Sequence, residues 1–338
     1  MIISIIRRGL MLLPLGLLAA CNTVVMNPSG DIAVQQGNLI VVSTLLMLLI
    51  IIPVIALIVI FAWRYRKGNT EAKYTPDWDH STGLELVIWG APLLIIIALG
   101  LITWISTHTL DPYRPLARID EHRPLAAGHK PLTVQVVALD WKWLFIYPDL
   151  GIATVNELAA PVDVPVRFKI TASTVMNSFY IPALAGQIYA MPGMETTLNA
   201  VINKPGVYDG FSANYSGAGF SDMRFKFHGM SSADFDAWVA QTKAGGELKR
   251  AEYVELEKPS QRDPVRHYGA VEAQLFDAIV NRCVDLNATC MKDMMTTDAN
   301  RIKDSNMSKM AQQKSGLPAV ADAGAEICVT PPITMKKQ

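Results

Sequence analysis

The sequence predicts a membrane-anchored, all-β domain: a hairpin of two transmembrane helices, then a β-sandwich or barrel, then C-terminal helices. Two long apolar runs near the N-terminus predict the anchor, since about twenty helical residues cross the hydrocarbon core. Short runs rich in β-branched and aromatic residues, separated by turn residues, predict the domain. The chain has 338 residues, 51% of them apolar, and zero formal net charge. We therefore expect no nucleic-acid partner, because binding nucleic acid needs a basic excess.

Residues 1–20 are typical of a secretory signal. Arg7 and Arg8 precede an apolar stretch that is too short to span a bilayer, and small residues follow it up to Cys21. A small residue directly before a cysteine is the pattern of a bacterial lipoprotein signal. We expect cleavage before Cys21, lipidation of its thiol, and an external N-terminal segment over residues 21–38. An ordinary signal with an incidental cysteine is the alternative.

Residues 39–63 and 84–106 are the predicted transmembrane helices. Each is long and apolar, with tryptophan near its ends, and Pro53 and Pro92 are tolerated in a membrane because neighbouring helices satisfy the freed carbonyls. Arg64, Arg66 and Lys67 follow the first helix. The positive-inside rule then predicts a cytoplasmic loop over residues 64–83 and places everything after the second helix outside the cytoplasm. The alternative is that these two apolar runs form helices buried in the core of a domain and do not span a membrane.

The chain after the second predicted transmembrane helix divides into segments that differ in composition. The proline-rich residues 107–131 predict a linker, and residues 132–230 the β-domain. The predicted strands cover residues 132–139, 143–147, 164–170, 195–202, 206–211 and 223–227. Residues 231–286 predict a helical extension, with Ser231 as a cap for a helix that carries Phe235, Trp238 and Val239 on one face, and a second helix over 271–285. Residues 287–338, rich in Met, Lys, Asp and Ala, predict a mobile tail.

Residues 212–223 read SANYSGAGFSDM and resemble a copper-binding loop of the second subunits of haem-copper oxidases. In the cytochrome c oxidases of that family the pattern is Cys-x3-Cys-x3-His-x2-Met, with a further His upstream. Ser212, Ser216, Phe220 and the upstream Asn177 replace these ligands, and Met223 alone remains. Hydroxyls and an amide do not replace the thiolates and imidazoles that copper prefers. The chain therefore resembles the quinol-oxidising branch of the family.

Three further segments carry the resemblance. Asp140-Trp141-Lys-Trp143 is similar to the Trp-x-Trp element of these subunits, and residues 151–157 and 187–194 are similar to the quinol oxidase version. The resemblance implies a cupredoxin-like domain and no cofactor on this chain. It also implies partners: a large subunit that holds two haems and a mononuclear copper, and small membrane subunits. The complex would oxidise ubiquinol, reduce oxygen to water and pump protons in the bacterial inner membrane, with this domain in the periplasm.

Two rival functions stay open at this point. One is a cytochrome c oxidase second subunit, which the missing ligand set opposes. The other is a non-catalytic, membrane-tethered lipoprotein that binds a periplasmic partner.

Glu85 is the candidate functional residue in the membrane. It lies at the cytoplasmic start of the second helix and resembles the family glutamate at the mouth of a proton channel into the large subunit. An acid at a helix N-terminus is also favoured by the helix dipole, which is the alternative.

The remaining candidates have structural alternatives. Trp141 and Trp143 are expected to fill a partner contact or the domain core, and Met223 alone is more often core than ligand. The six histidines lie outside the predicted spans, so no haem ligation within the bilayer is expected. Cys283 and Cys290 are a possible disulfide, with Cys328 as a competing partner.

Overall fold

The computed structural model describes residues 23–315 apart from 74, 127 and 286, and no side chain beyond residue 307. The predicted signal (1–20), the lipidation site Cys21 and Cys328 lie outside the described residues. Six α-helices are described: α1 (Asp31–Arg64), α2 (Thr82–Thr109), α3 (Ser232–Thr242), α4 (Arg250–Glu257), α5 (Leu275–Val280) and α6 (Met291–Ser315). Among the described residues, those from 23 to 285 form one compact unit, and those from 287 to 315 form a second.

The helix pair α1 and α2 has the length and composition of two membrane spans. The most apolar 18-residue window of α1 is 0% buried and that of α2 is 6% buried. Because a soluble core helix would be covered, this exposure contradicts the core-helix alternative and fits lipid contact. Both helices are longer than the predicted spans. α1 begins at Asp31, within the predicted external segment, because the polar residues before Leu39 continue the helix up to the β-domain.

Fourteen strands are described. They are β1 (Arg118–Asp120), β2 (Arg123–Pro124), β3 (Leu132–Leu139), β4 (Lys142–Tyr147), β5 (Ile152–Val155), β6 (Glu157–Pro161), β7 (Val166–Ala172), β8 (Asn177–Tyr180), β9 (Ile188–Ala190), β10 (Thr196–Ala200), β11 (Gly206–Ser212), β12 (Arg224–Met230), β13 (Gly246–Leu248) and β14 (Arg266–Val271). The order β10-β7-β3-β4-β5-β14-β13 makes a seven-stranded sheet, and the order β6-β12-β11-β8-β9 makes a five-stranded sheet. The predicted sandwich is confirmed.

Two cores lie on opposite faces of the seven-stranded sheet. Between the sheets, Trp143 and Phe145 of β4 pack with Phe179 and Phe225, and the rings of Phe179 and Phe225 stack 5.5 Å apart. On the other face, Leu144 and its alternate neighbours pack with residues of α4 and α5, including Tyr253, Phe276 and Ile279. Successive residues of a strand point to opposite faces, so β4 is buried throughout only because both faces are covered.

The predicted start of the helical extension is confirmed. Ser231 caps α3 by accepting a hydrogen bond from the backbone N–H of Asp234 at 3.2 Å. Phe235 and Val239 are buried against the sandwich core, and Trp238 is partly buried beside them.

Three expectations for the outer part need correction. Residues 231–286 also contain β13 and β14, which extend the seven-stranded sheet, so Val271 ends a strand and α5 begins only at Leu275. The predicted linker contains the small hairpin of β1 and β2. The predicted tail contains α6, because Met, Lys, Arg and Gln favour a helix even without an apolar stripe.

Candidate functional site

The loop of residues 212–223 begins at the end of β11, beside the upstream position on β8. The backbone N–H of Ala213 donates to the Ser178 carbonyl at 2.9 Å, and that of Ser212 to the Met223 carbonyl at 3.2 Å. β8 and β11 are adjacent antiparallel strands, with Ser212 opposite Phe179. Asn177, Ser212 and Met223 are therefore brought together, as the resemblance predicts for the positions of a former ligand set.

Asn177 and Ser212 form a buried, uncharged pair. The Ser212 hydroxyl donates to Asn177 Oδ1 at 3.0 Å and accepts from the Ser178 backbone N–H at 3.4 Å. The Asn177 amide donates to the Val175 carbonyl at 3.2 Å. Asn177 is 1% exposed and Ser212 is 3% exposed. The polar side chains of Asn177 and Ser212 are therefore satisfied by hydrogen bonds, at two positions where copper-bearing relatives have metal ligands.

The residues at the other three positions, Ser216, Phe220 and Met223, do not complete a set of copper ligands. The ring of Phe220 packs against Tyr215 with centroids 5.6 Å apart, and Met223 is fully buried in the sandwich core. The Ser216 hydroxyl is buried without a hydrogen-bond partner among the described residues. Two hydroxyls, an amide, a phenyl ring and one thioether do not fit a copper centre, which needs thiolate or imidazole ligands.

Trp141 holds the middle of the loop. Its indole N–H donates to the Ser216 carbonyl at 3.0 Å. Its ring lies so close to Gly219 that a Cβ there would approach the Trp141 Cγ to 2.5 Å, and Gly217 adopts a φ of +112° under the same ring. Turn formation alone therefore does not explain these glycines: the loop needs them to pack against an aromatic ring. Trp143 is in the core, at 0% exposure, as the structural alternative predicts.

Glu85 lies in the first turn of α2 and pairs with a residue that the sequence did not single out. Its Oε1 is 2.6 Å from His80 Nδ1, and the two side chains are 48% and 65% exposed. The other ring nitrogen of His80 is 3.3 Å from the Thr82 hydroxyl. An acid and an imidazole in hydrogen-bond contact at a membrane boundary can pass a proton between water and the membrane edge.

A second polar cluster was also missed from the sequence. Glu157 lies between His267, whose Nε2 is 2.7 Å from Oε2, and His228, whose Nε2 is 3.4 Å from Oε1. Trp238 donates its indole N–H to the same carboxylate at 3.1 Å. These contacts join β6, β12, β14 and α3. The residues are up to 110 positions apart, so no local signal could have found them.

Lys142, directly after Trp141, is a buried cation. Its Nζ donates to the Lys258 carbonyl at 2.8 Å and to the Ser260 hydroxyl, and it lies 3.3 Å from Asp263 Oδ2. Burial raises the pKa of Asp263, but the Ser260 hydrogen bond and the Lys142 charge outweigh it, so this pKa lies below its ordinary value. The pair attaches the segment after α4 to the seven-stranded sheet.

A β-sandwich on a two-helix anchor, with the loop of residues 212–223 beside the paired strands β8 and β11, is the architecture of the cupredoxin-type second subunits of haem-copper oxidases. The family model for the periplasmic domain of cytochrome c oxidase subunit II matches residues 150–229. The model for the COX aromatic rich motif matches residues 243–287, which contain α4, α5 and the aromatic residues of the second core.

Full-length relatives narrow the assignment. Cytochrome bo(3) ubiquinol oxidase subunit 2 of Pseudomonas putida is 50% identical over 80% of this chain and 84% of the relative. Ubiquinol oxidase subunit 2 of Acetobacter aceti is 46% identical over 87% of this chain and 92% of the relative. Quinol oxidase subunit 2 of Bacillus subtilis is 37% identical over 72% and 74%. The chain belongs to the ubiquinol oxidase subunit 2 family.

Proposed function

We propose that this chain is the second, non-redox subunit of a proton-pumping ubiquinol oxidase in a bacterial inner membrane. One observation carries the proposal: in a member of this family, the former copper-ligand positions Asn177 and Ser212 form a buried, neutral hydrogen-bonded pair. A quinol reaches an oxidase through the lipid phase, so no soluble electron donor has to dock on this domain. Haems and a mononuclear copper then belong to the large partner subunit.

An exposed apolar surface beside the loop supports a subunit contact. Val175, Met176 and Tyr215 are 43%, 39% and 75% exposed, and the Asn214 amide, next to Tyr215, donates to the Met176 carbonyl at 3.3 Å. Contiguous exposed apolar residues on a domain surface are typical of a protein interface. This surface would cover the large subunit from the periplasmic side, while α1 and α2 pack against it in the membrane with the other small subunits.

The decisive experiment is purification of the membrane complex with a tag on this chain. We expect haem absorption in the visible spectrum, ubiquinol oxidation, no cytochrome c oxidation, and copper equal to that of the large subunit's mononuclear site. A further pair of copper ions would favour the cytochrome c oxidase alternative. Purification without haem would favour the tethered lipoprotein. The relatives' names include both ubiquinol and quinol, so rates with ubiquinol and a menaquinol should be compared.

Lipidation of Cys21 after removal of residues 1–20 is part of the proposal. The chain before α1 turns back along this helix, so that a Cβ on Gly37 would lie 3.2 Å from the Val25 carbonyl. Val24, Val25 and Met26 are 50%, 38% and 54% exposed at this level, just before the apolar run of α1 begins. The described residues that follow the proposed lipidation site therefore lie level with the start of the apolar run, which supports a lipid anchor here. Intact mass before and after Cys21→Ser tests the modification.

Glu85 and His80 are proposed to serve proton uptake into the large subunit. Glu85→Gln keeps the size of the side chain and removes the carboxylate, so we expect several-fold slower oxidase turnover with normal assembly. Glu71→Gln is a matched control, because Glu71 is an exposed carboxylate of the same loop without an ion pair among the described residues. Equal turnover and proton pumping in both variants would remove Glu85 from the pathway.

Cys283 and Cys290 are both disulfide-bonded. We propose that they pair with each other in the oxidising periplasm, as their closeness in sequence suggests. Peptide mapping under non-reducing conditions tests the pairing, and a Cys328 peptide linked to either residue would contradict it.

A further inference from the structure

Two cavities adjoin each other where the helix pair meets the β-domain. One has a volume of about 260 Å³ and lies between the first turns of α1, the end of α2 and the chain that follows α2. The other, of about 280 Å³, lies between α1 and α2. They share Gln35, Thr109 and Leu110 as lining residues. The two cavities are therefore direct neighbours along α1 and α2, and we refer to them together as the recess.

The first of these cavities, which we call the upper cavity, is lined by two acidic and two basic residues, so its formal net charge is zero. Its ionisable lining residues are Asp31, Asp111, Arg114 and Arg118. Asp31, which is 5% exposed, holds Arg118 through two hydrogen bonds of 3.0 Å. Arg114 donates to the His108 carbonyl at 3.3 Å, and no carboxylate lies within ion-pair distance of it among the described residues. Its guanidinium is available for an anionic group, and Asp111 is near it for a cationic one.

The lower cavity is mainly apolar and lies at the depth of the outer leaflet. On α1 it is lined by Gln35, Asn38, Leu39 and Val42, which occupy one helix face. Leu39 begins the apolar run, about 12 Å along the helix from Asp31 at 1.5 Å per residue. The upper cavity is then level with lipid head groups, and the lower one with the first part of the acyl chains.

We propose that this recess binds one outer-leaflet phospholipid with a zwitterionic head group. Its phosphate would bind the Arg114 guanidinium, its ammonium group would lie beside Asp111, and one acyl chain would occupy the groove next to Leu39 and Val42. The balanced charge of the lining favours a phosphatidylethanolamine over an anionic lipid. The inference depends on the membrane placement of α1 and α2 and not on oxidase activity.

The chain's own lipid anchor does not fit this recess. Val25 lies against Gly37, which is about 200° around α1 from Gln35 at 100° per residue. Val25 therefore lies on the opposite face of the helix from the groove, which favours a separate molecule as the occupant.

The test is lipid retention by the full complex. Complexes carrying wild-type chain, Arg114→Gln, Ser106→Leu or the control Arg123→Gln are reconstituted with equal phosphatidylethanolamine and phosphatidylglycerol, washed in detergent, and analysed by mass spectrometry. Arg123 is exposed and lies outside both cavities, and Ser106 lines the groove. We expect phosphatidylethanolamine to be enriched in the wild type and the control. Arg114→Gln should weaken its retention about tenfold, since a charge-assisted hydrogen bond is lost, and Ser106→Leu should weaken it by obstructing the acyl chain.

Three results would overturn the proposal. One is equal retention in all four complexes, including no retention in any. Another is enrichment of phosphatidylglycerol or quinone instead of phosphatidylethanolamine in the wild type. The third is retention of phosphatidylethanolamine by a Cys21→Ser complex but not by the wild type, which would assign the recess to the protein's own anchor. Haem content and quinol oxidation, measured on the same samples, report separately on the proposed oxidase function.

Discussion

The two sides of the turn between β3 and β4 are held by opposite kinds of interaction. On one side, Trp141 covers the former ligand loop through one neutral hydrogen bond and close contact with two glycines. On the other side, the next residue, Lys142, places a buried charge among a carbonyl, a hydroxyl and the Asp263 carboxylate. A loop that no longer has thiolate and imidazole ligands is thus stabilised by shape and neutral hydrogen bonds, whereas the neighbouring attachment depends on charge.

Lys142→Met should have the largest effect on stability. The Lys142 and Asp263 side chains are 2% and 9% exposed, so the substitution removes the buried cation and leaves Asp263 with only Arg266, which is 44% exposed and 2.8 Å from its Oδ1. Removing one member of a buried pair costs about 3–5 kcal/mol. Denaturant unfolding of the full chain in detergent measures this loss. Lys258→Met is the control: it breaks an exposed pair with Glu255, worth at most about 1 kcal/mol. Equal effects of the two substitutions would disprove a special role for Lys142.

The effect of Lys142→Met should also depend on pH. The folded pKa of Asp263 is below the ordinary 3.8, so its contribution to stability is present above that value and is lost as the pH falls through the folded pKa. Without the Lys142 charge and hydrogen bond, the pKa of Asp263 rises relative to the wild type, while Ser260 and Arg266 continue to lower it. Protonation then removes the buried charge at a higher pH in the variant. The stability difference between wild type and variant should therefore shrink on acidification below about pH 4. A difference that stays constant with pH would show that lost packing, not charge, causes it.

The same two residues show what the sequence could and could not predict. The presence of the two apolar helices, the strand alternation and the Ser231 cap depend on neighbours in the chain, and these predictions are confirmed, although both helices are longer than the predicted spans. The partner of Lys142 is 121 positions away, and the contacts of Glu157 are formed by strands that pair only in the folded sheet. β13 and β14 were missed because they are short edge additions within a stretch of helical composition. The resemblance to a ligand pattern singled out Asn177 and Ser212 as positions, but no feature of the sequence predicted the hydrogen bond between them.

Gly219→Ala should have an intermediate effect on the stability of the fold. The new methyl group would be placed 2.5 Å from the Trp141 ring, so the loop or the ring must move. Overpacking of this kind typically costs about 1–3 kcal/mol. Thermal unfolding and protease cleavage within residues 212–223 should both report the change. Gly246→Ala is a matched control, because a Cβ at Gly246 would meet nothing within 4 Å, and it should stay within about 0.5 kcal/mol of the wild type. If the two variants behaved alike, Trp141 would not be what holds the loop.

Ser212→Ala should have the smallest effect on stability. It is also the most informative test of whether electrons cross this domain. It removes the hydrogen bond to Asn177 Oδ1 and leaves that buried oxygen with one partner fewer, a loss of about 1 kcal/mol. The exposed Ser221→Ala in the same loop should change nothing. If electrons pass from quinol to haem without crossing this domain, ubiquinol oxidation by the assembled complex should be the same in both variants, despite the difference in stability. A Ser212→Ala complex with normal haem content and clearly slower quinol oxidation would place the former copper loop back on the electron path.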